Sequence, residues 1–228
     1  MGLKSMMYPG EVKSLNGHKF VAYAPYTECI NIMFDIETLG NDVLNGAPVT
    51  QIGVAYIDST GSVISMCVNV DSEECIDHGL EPTPSTLEWI NKQSDAVIDS
   101  WFKDPLSIHD ALEKVNNFCE MAMIDAKNAG LGVAHWGHSP RFDMNILERL
   151  YIIDDRPVPW MYNTERCWRT VQSENFDFLK VMAPDITDAT KESYNVEGGE
   201  YHNAGYDAVY QVISLQLIIN AKLAGKLD

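Results

Sequence analysis

The stretch CINIMFDIETLGN, residues 29–41, most limits what this chain can fold into. Ile30, Ile32, Phe34 and Ile36 alternate with Asn31, Met33, Asp35 and Glu37, the period of a β-strand whose successive side chains point to opposite faces. One face is wholly apolar and needs a core, while the other ends in two carboxylates. Their Cα atoms would lie roughly 6.5 Å apart. Like charges that close raise each other's pKa unless a cation sits between them. The stretch therefore predicts a buried strand that carries part of a metal site.

The rest of the chain can supply that core. At 228 residues, 46% of them apolar, it suits one sizeable domain. Residues 1–28 read as an N-terminal extension and 29–228 as a single domain. Thirty-three acidic residues against 16 basic ones give a net charge of −17. That balance argues against gripping long duplex nucleic acid through a basic stripe. It leaves room for an enzyme whose metal ions face the phosphate, since bound cations supply positive charge locally. No run approaches the roughly 18–20 apolar residues of a membrane span, and the first 28 residues lack the apolar segment of a signal peptide. The five cysteines are odd in number and irregularly spaced, which suits reduced thiols. The expectation is a cytoplasmic protein, of a bacterium or a phage-infected host, with no membrane partner.

VTQIGVAYID (49–58) and GSVISMCVNV (61–70) are apolar and β-branched around Ser59-Thr60-Gly61, a hairpin signal. Three antiparallel strands therefore open the sheet. TPSTLEWINKQ predicts a helix with Ser85 and Glu88 in capping-box spacing. Ile108, Leu112, Val115, Cys119 and Ala122 form one helical stripe that stops at Gly130. LGVAHWGH (131–138) is a short strand, followed by a turn at Ser139-Pro140 and a helix over RFDMNILERLYIID. Residues 156–200, rich in proline and aromatics, carry some helix but are the least readable part, and NAGYDAVYQVISLQLIINAKLAG closes the chain as a long amphipathic helix. The sum is an α/β layer fold with a mixed sheet flanked by helices.

Two further aspartates stand where a helix begins. Asp143 follows the strand of residues 131–138, and Asp207 opens the last helix. Either alone would serve as a helix-dipole or capping residue. Together with Asp35 and Glu37 they make an oxygen-rich, hard-ligand set that favours Mg²⁺ or Mn²⁺ over zinc. Two such ions, about 3.5 to 4 Å apart, clamp the attacking and leaving oxygens of a phosphoryl displacement. His202 lies five residues before Asp207, roughly 140° from a shared helix face. That spacing suits a loop histidine hanging over the aspartate, able to take a proton from the attacking water.

In this order, Asp35-Ile36-Glu37-Thr38, Phe142-Asp143 and His202 with Asp207 resemble the three motifs of the histidine-type DEDD (DEDDh) 3′-to-5′ exonucleases, over about residues 30–220. STLEWINKQSDAV (85–97) resembles the T-x-x-W-x-x-x-Q-S segment of the phage exonuclease A-like branch, related to bacterial 3′-to-5′ exoribonucleases. The resemblance implies a ribonuclease H-like fold, with three antiparallel strands first and parallel strands after. It implies that Asp35, Glu37, Asp143 and Asp207 hold two Mg²⁺, with Mn²⁺ able to substitute, and that His202 is the general base. Thr38 and Leu39 would hold the 3′-terminal nucleotide, with Phe142 the aromatic beside the second motif. His138, just ahead of Asp143, reads as a wall of the substrate site, and Arg169 reads either as a phosphate contact or as a surface salt bridge. Where the phage-like branch shows R-D-x-R-T, this chain has Arg166-Cys167-Trp168-Arg169-Thr170, so no acid role transfers to Cys167.

The expected function is metal-dependent hydrolysis of single-stranded DNA or RNA from the 3′ end to 5′-mononucleotides, with DNA slightly favoured by the phage-like segment. The oligomeric state is open; related small exonucleases are often dimers, which makes a homodimer the candidate assembly. The alternative is a non-catalytic module of the same fold that binds nucleic-acid ends or a protein. Such a module would be expected to lose a metal acid or the histidine, and all five are present. A zinc pair at His135 and His138 lacks cysteine partners at finger spacing. A thiol hydrolase at Cys167 lacks an oxyanion element, and DIETLGNDVLNG misses the ligand positions of an EF-hand.

Overall fold

The strand that begins at Cys29 is the centre of the sheet. In a computed structural model, which describes residues 25–196 and 200–227, β1 (Cys29–Thr38) is buried along nearly its whole length. Its two faces part as the alternation requires. Ile30, Ile32, Phe34 and Ile36 enter one apolar cluster, while Met33 enters another on the opposite side. Both faces are covered by helices, so the carboxylates of the second face are buried and not solvated.

On one flank β1 pairs antiparallel with β2 (Val49–Ile57), which pairs antiparallel with β3 (Val63–Asn69). The Asp58 carboxylate closes the hairpin by accepting the Thr60 and Ser62 N–H groups at 2.9 and 2.8 Å. On the other flank β4 (Gly132–Gly137) runs parallel to β1, and β5 (Glu165–Cys167) parallel to β4. The order β3-β2-β1-β4-β5 is the mixed sheet expected, three antiparallel strands followed by two parallel ones.

A parallel neighbour needs a crossover, and α1 (Ser72–Asp77), α2 (Pro84–Ile90), α3 (Asp95–Phe102) and α4 (Ile108–Ala129) supply it between β3 and β4. All five stripe residues of α4 are buried against the Ile30–Ile36 face. Burying Leu112 or Val115 there contributes about 1.5–3 kcal/mol each. Gly130, at φ +70°, ends the helix in the left-handed conformation that glycine adopts without Cβ strain. Next, α5 (Asp143–Ile153) follows β4 and adds Met144, Leu147 and Leu150 to the same layer. The opposite layer holds α6 (Trp168–Glu174), α7 (Phe176–Ser193) and α8 (Ala204–Leu223), with Val209, Val212, Leu215 and Ile218 of α8 in the cluster of Met33 and Trp136.

Several local expectations change. The cap expected at Ser85 lies two residues earlier, at Thr83, because the fixed φ of Pro84 suits the first helical position. The helix also breaks at residues 91–93, and α3 restarts behind a Ser94 side chain that accepts the Val97 N–H. Residues 156–200 hold β5, α6 and α7, the last with Pro184 inside it. His135 is buried, its Nδ1 lies 2.8 Å from the Thr164 hydroxyl, and burial pushes its pKa down to about 3. Among the described residues the five cysteines form no disulfide. Residues 1–24, most of the expected extension, lie outside the described residues. Among the described residues no helix is long and apolar enough to cross a membrane.

Candidate active site

Four acids meet at the end of the sheet where β1 and β4 both finish. Asp35 and Glu37 project from the same face of β1 and are almost wholly buried. The β1–β2 register shifts just after Glu37, where Glu37 pairs with Gln51 but Thr38 with Val49. Because β4 runs parallel to β1, with Phe34 opposite Gly137, the turn that follows it opens at the same end. That turn delivers Asp143 at the start of α5, where its Oδ2 accepts the Ser139 N–H at 2.8 Å.

The fourth acid arrives from the opposite layer. A Cβ on Gly53 would lie 2.0 Å from the Ala204 carbonyl oxygen, so the start of α8 rests directly on the bare backbone of β2. Gly53 is the register partner of Asp35, and the neighbouring Gln51 accepts the Ala204 N–H at 3.2 Å. This seat brings Asp207, in the first turn of α8, over β1. One turn later Gln211 donates from Nε2 to Asp35 Oδ1 at 2.7 Å.

His202 stands on the loop just before α8. Its N–H donates to Asp207 Oδ2 at 2.9 Å, and its carbonyl accepts the Trp101 indole N–H at 2.7 Å. Its φ of +70° is left-handed, a conformation a non-glycine residue keeps only when its surroundings hold it. One ligand atom each from Glu37, His202 and Asp207 lie within 4.8 Å of one another, a spacing that a single cation can bridge. On the other side of Asp35 a pocket of about 180 Å³ is lined by Ile36, His138, Ser139, Phe142, Asp143 and Arg169. A larger groove, about 1170 Å³, follows the outer edge of β3 and is lined by none of the four acids.

Electrostatics bind the acids into one unit. Burial is the largest cause raising the pKa of each, and it pushes Asp143 and Asp207 up to about 7. Asp35 is raised well above the usual carboxylate range by burial and then by Asp207 and Asp143, against the Gln211 hydrogen bond. Glu37 is raised likewise by burial, then Asp35, Asp207 and Asp143. Arg169 offsets part of this at Asp143. Buried, mutually repelling carboxylates fit a divalent cation, and the all-oxygen acid set fits a hard one. Burial lowers the His202 pKa, which favours the neutral, proton-accepting ring.

The structure thus brings Asp35, Glu37, Asp143, Asp207 and His202 to one place, with His138, Phe142 and Arg169 on the pocket wall. Thr38 and Leu39 border this end of β1 but are engaged locally. The Thr38 hydroxyl donates to the Gly40 carbonyl at 2.6 Å, and the Leu39 N–H to the Pro48 carbonyl at 2.8 Å. The Leu39 side chain packs against Ile90, Val97 and Trp101. Sequence reasoning missed Gln211, although its place four residues after Asp207 puts both on one helix face. It also missed Trp101, and it read Trp89 only as part of the segment at 85–97; the contacts of both with residue 202 span about a hundred positions.

Residues 30–219 match the family model described as the 3′-5′ exoribonuclease Rv2179c-like domain. No curated protein matches the chain. Among solved structures, E. coli Exonuclease I in complex with a dT13 oligonucleotide is similar at 12% identity and a TM-score of 0.50, over 85% of this chain and 41% of that one. This chain therefore spans less than half the length of Exonuclease I. The nuclease domain of 3′hExo, a DEDDh family member, bound to rAMP, is similar at 10% identity and a TM-score of 0.50, over 90% of this chain and 98% of that one. At such identities the likeness shows the fold alone, the ribonuclease H-like one expected. The family rests on the match that runs from the first site strand through the last site helix: the chain belongs to the 3′-5′ exoribonuclease Rv2179c-like domain family.

Proposed function

We propose that this protein shortens single-stranded nucleic acid from its 3′ end by metal-dependent hydrolysis, releasing 5′-mononucleotides, with RNA as the favoured substrate. The observation that carries the reading is the convergence of four buried acids with a histidine tied by its backbone to one of them. The preference for RNA rests on the family's description as exoribonucleases and outweighs the slight lean to DNA from the segment at 85–97.

Asp35, Glu37, Asp143 and Asp207 would hold two divalent cations, Mg²⁺ or Mn²⁺. When bound, these supply charge neutralisation to the phosphate and to the attacking and leaving oxygens. Gln211 orients the Asp35 carboxylate from behind, and the Ser139 N–H does the same for Asp143. His202, neutral at the operating pH, accepts the proton of the attacking water at a ring nitrogen. Arg169, on the pocket wall beside Asp143, meets the scissile or adjacent phosphate. The acidic exterior disfavours long duplex tracks, which leaves short contacts to a single strand.

The test is a time course on two 5′-labelled single strands of one sequence, one RNA and one DNA, in Mg²⁺, in Mn²⁺ and in EDTA. A ladder shrinking from the 3′ end only with metal, faster on RNA, is the expected result. No cleavage of either strand in either metal would turn the reading to a module that binds ends without hydrolysing them.

A further inference from the structure

The helices α2 and α3 contribute no acid to the site, yet they converge on His202. The Trp101 indole N–H holds the His202 carbonyl at 2.7 Å. The Trp89 ring stands edge-on to the imidazole, with centroids 4.9 Å apart and an interplanar angle of 88°. The two indoles are stacked on each other, 6.4 Å between centroids and 17° apart in plane. At the turn between the two helices the Ser94 hydroxyl donates to Glu200 Oε1 at 3.0 Å, tying the same segment to the same loop. Backbone, ring and flanking residue of the His202 loop are therefore all held from one side, while Asp207 holds the His202 N–H from the other.

We propose that the α2–α3 pair is a bracket for the proton acceptor and that Trp89 is its positioning residue. The inference rests on the reading of His202 given above. A left-handed histidine on an exposed loop has no intrinsic reason to stay in place, and its ring can turn freely unless something flanks it. Trp89 limits that rotation and so fixes which ring nitrogen faces Glu37 and Asp207. Trp101 is fully buried in the small cluster with Ile90 and Val97, whereas Trp89 is 38% exposed. Truncating Trp89 can thus release the imidazole without opening that cluster. The conjunction of Trp89 with the Gln93-Ser94 turn in one short segment then has a physical purpose: one supplies the wall for the ring and the other the tie to the loop.

Steady-state kinetics on a labelled single strand would be compared for the wild type, Trp89→Ala, Trp89→Phe, His202→Ala and the double variant Trp89→Ala/His202→Ala. Misplacement of a catalytic group predicts a kcat lower by about 10- to 100-fold in Trp89→Ala. KM should stay within about twofold, because ground-state binding is untouched. Phenylalanine, which keeps an aromatic wall, should restore most of the rate. In the His202→Ala background the Trp89 substitution should cost nothing further, since the group it positions is gone. A raised KM with kcat intact, or the same loss in both backgrounds, would overturn the bracket and make Trp89 a surface on which the substrate stacks.

Hydrogen exchange gives a readout that needs no turnover. The amides of residues 200–203 should exchange about tenfold faster in Ser94→Ala, which loses the tie to Glu200, with β1 unchanged. Unaltered exchange there would also overturn the bracket. A wild type without activity, or a His202→Ala variant as fast as the wild type, would count against the proposed reaction, and the exchange experiment would then decide the bracket alone.

Discussion

At the scale of single residues, the site depends on groups that carry no charge. Gln211 offers its amide N–H to Asp35 from a buried position on α8, while its own carbonyl oxygen has no hydrogen-bond partner among the described residues. Its place is thus set by the carboxylate it serves. Leucine at this position keeps the volume and removes the donor. Gln211→Leu should weaken Mg²⁺ binding by about 10- to 100-fold, as loss of an outer partner of a metal ligand commonly does. Isothermal titration with Mg²⁺ checks this directly, and an unchanged affinity would show that Asp35 needs no such support. The charged members of the site were legible in the sequence because each sits at a grammatical place, a strand end or a first helical turn. The neutral members were not, with one exception in principle. Gln211 shares a helix face with Asp207, but glutamine on a helix is common, and only the fold reveals that this one points at a strand 176 residues away.

At the scale of elements, the decisive contact is backbone on backbone. Asp207 reaches Asp35 because α8 begins against Gly53, where even a methyl group would overlap the Ala204 carbonyl. Neither surface can retreat, since one is a paired strand inside the sheet and the other a helix start fixed by the Gln51 and Asn203 side chains. Gly53→Ala should therefore lift the start of α8. A destabilisation at the upper end of the about 1–3 kcal/mol typical of overpacking is expected. The loss of activity should exceed what that instability explains at a temperature where the variant is folded. Thermal melts paired with rate measurements test this, and a folded variant with normal activity would refute the seat. β1 to β4 and α4 were readable from their apolar periods, and α8 from the length of its apolar run. The break between α2 and α3 and the short elements β5 and α6 were not. There helices of seven and eight residues and a three-residue strand carry too few apolar repeats to reveal a period, and tertiary contacts decide their ends.

At the scale of the whole molecule, an excess of acid meets a centre that cannot release its protons freely. Asp143 and Asp207 titrate near 7 in the fold against 3.8 for an ordinary aspartate, and Asp35 and Glu37 are shifted the same way. The folded state thus retains protons that the unfolded chain has already lost, so these groups favour folding below about pH 4 and cease to do so as pH rises through 7. Buried His135 acts oppositely: its pKa falls from 6.5 to about 3, so its contribution grows as pH rises between those values and is constant above them. A difference between two variants that share His135 cancels it. In EDTA at about pH 8, Asp207→Asn should melt roughly 5 °C above the wild type, because a neutral amide replaces a buried charge. Near pH 5, where residue 207 is uncharged in both folded proteins, the gap should narrow. Saturating Mg²⁺ at pH 8 should close or reverse it, because the cation stabilises the intact acid set in proportion to its binding. A gap that ignores both pH and Mg²⁺ would mean that the four acids do not form one cation-seeking unit. A gap that follows both would tie the stability of the fold to the same charges on which the proposed hydrolysis depends.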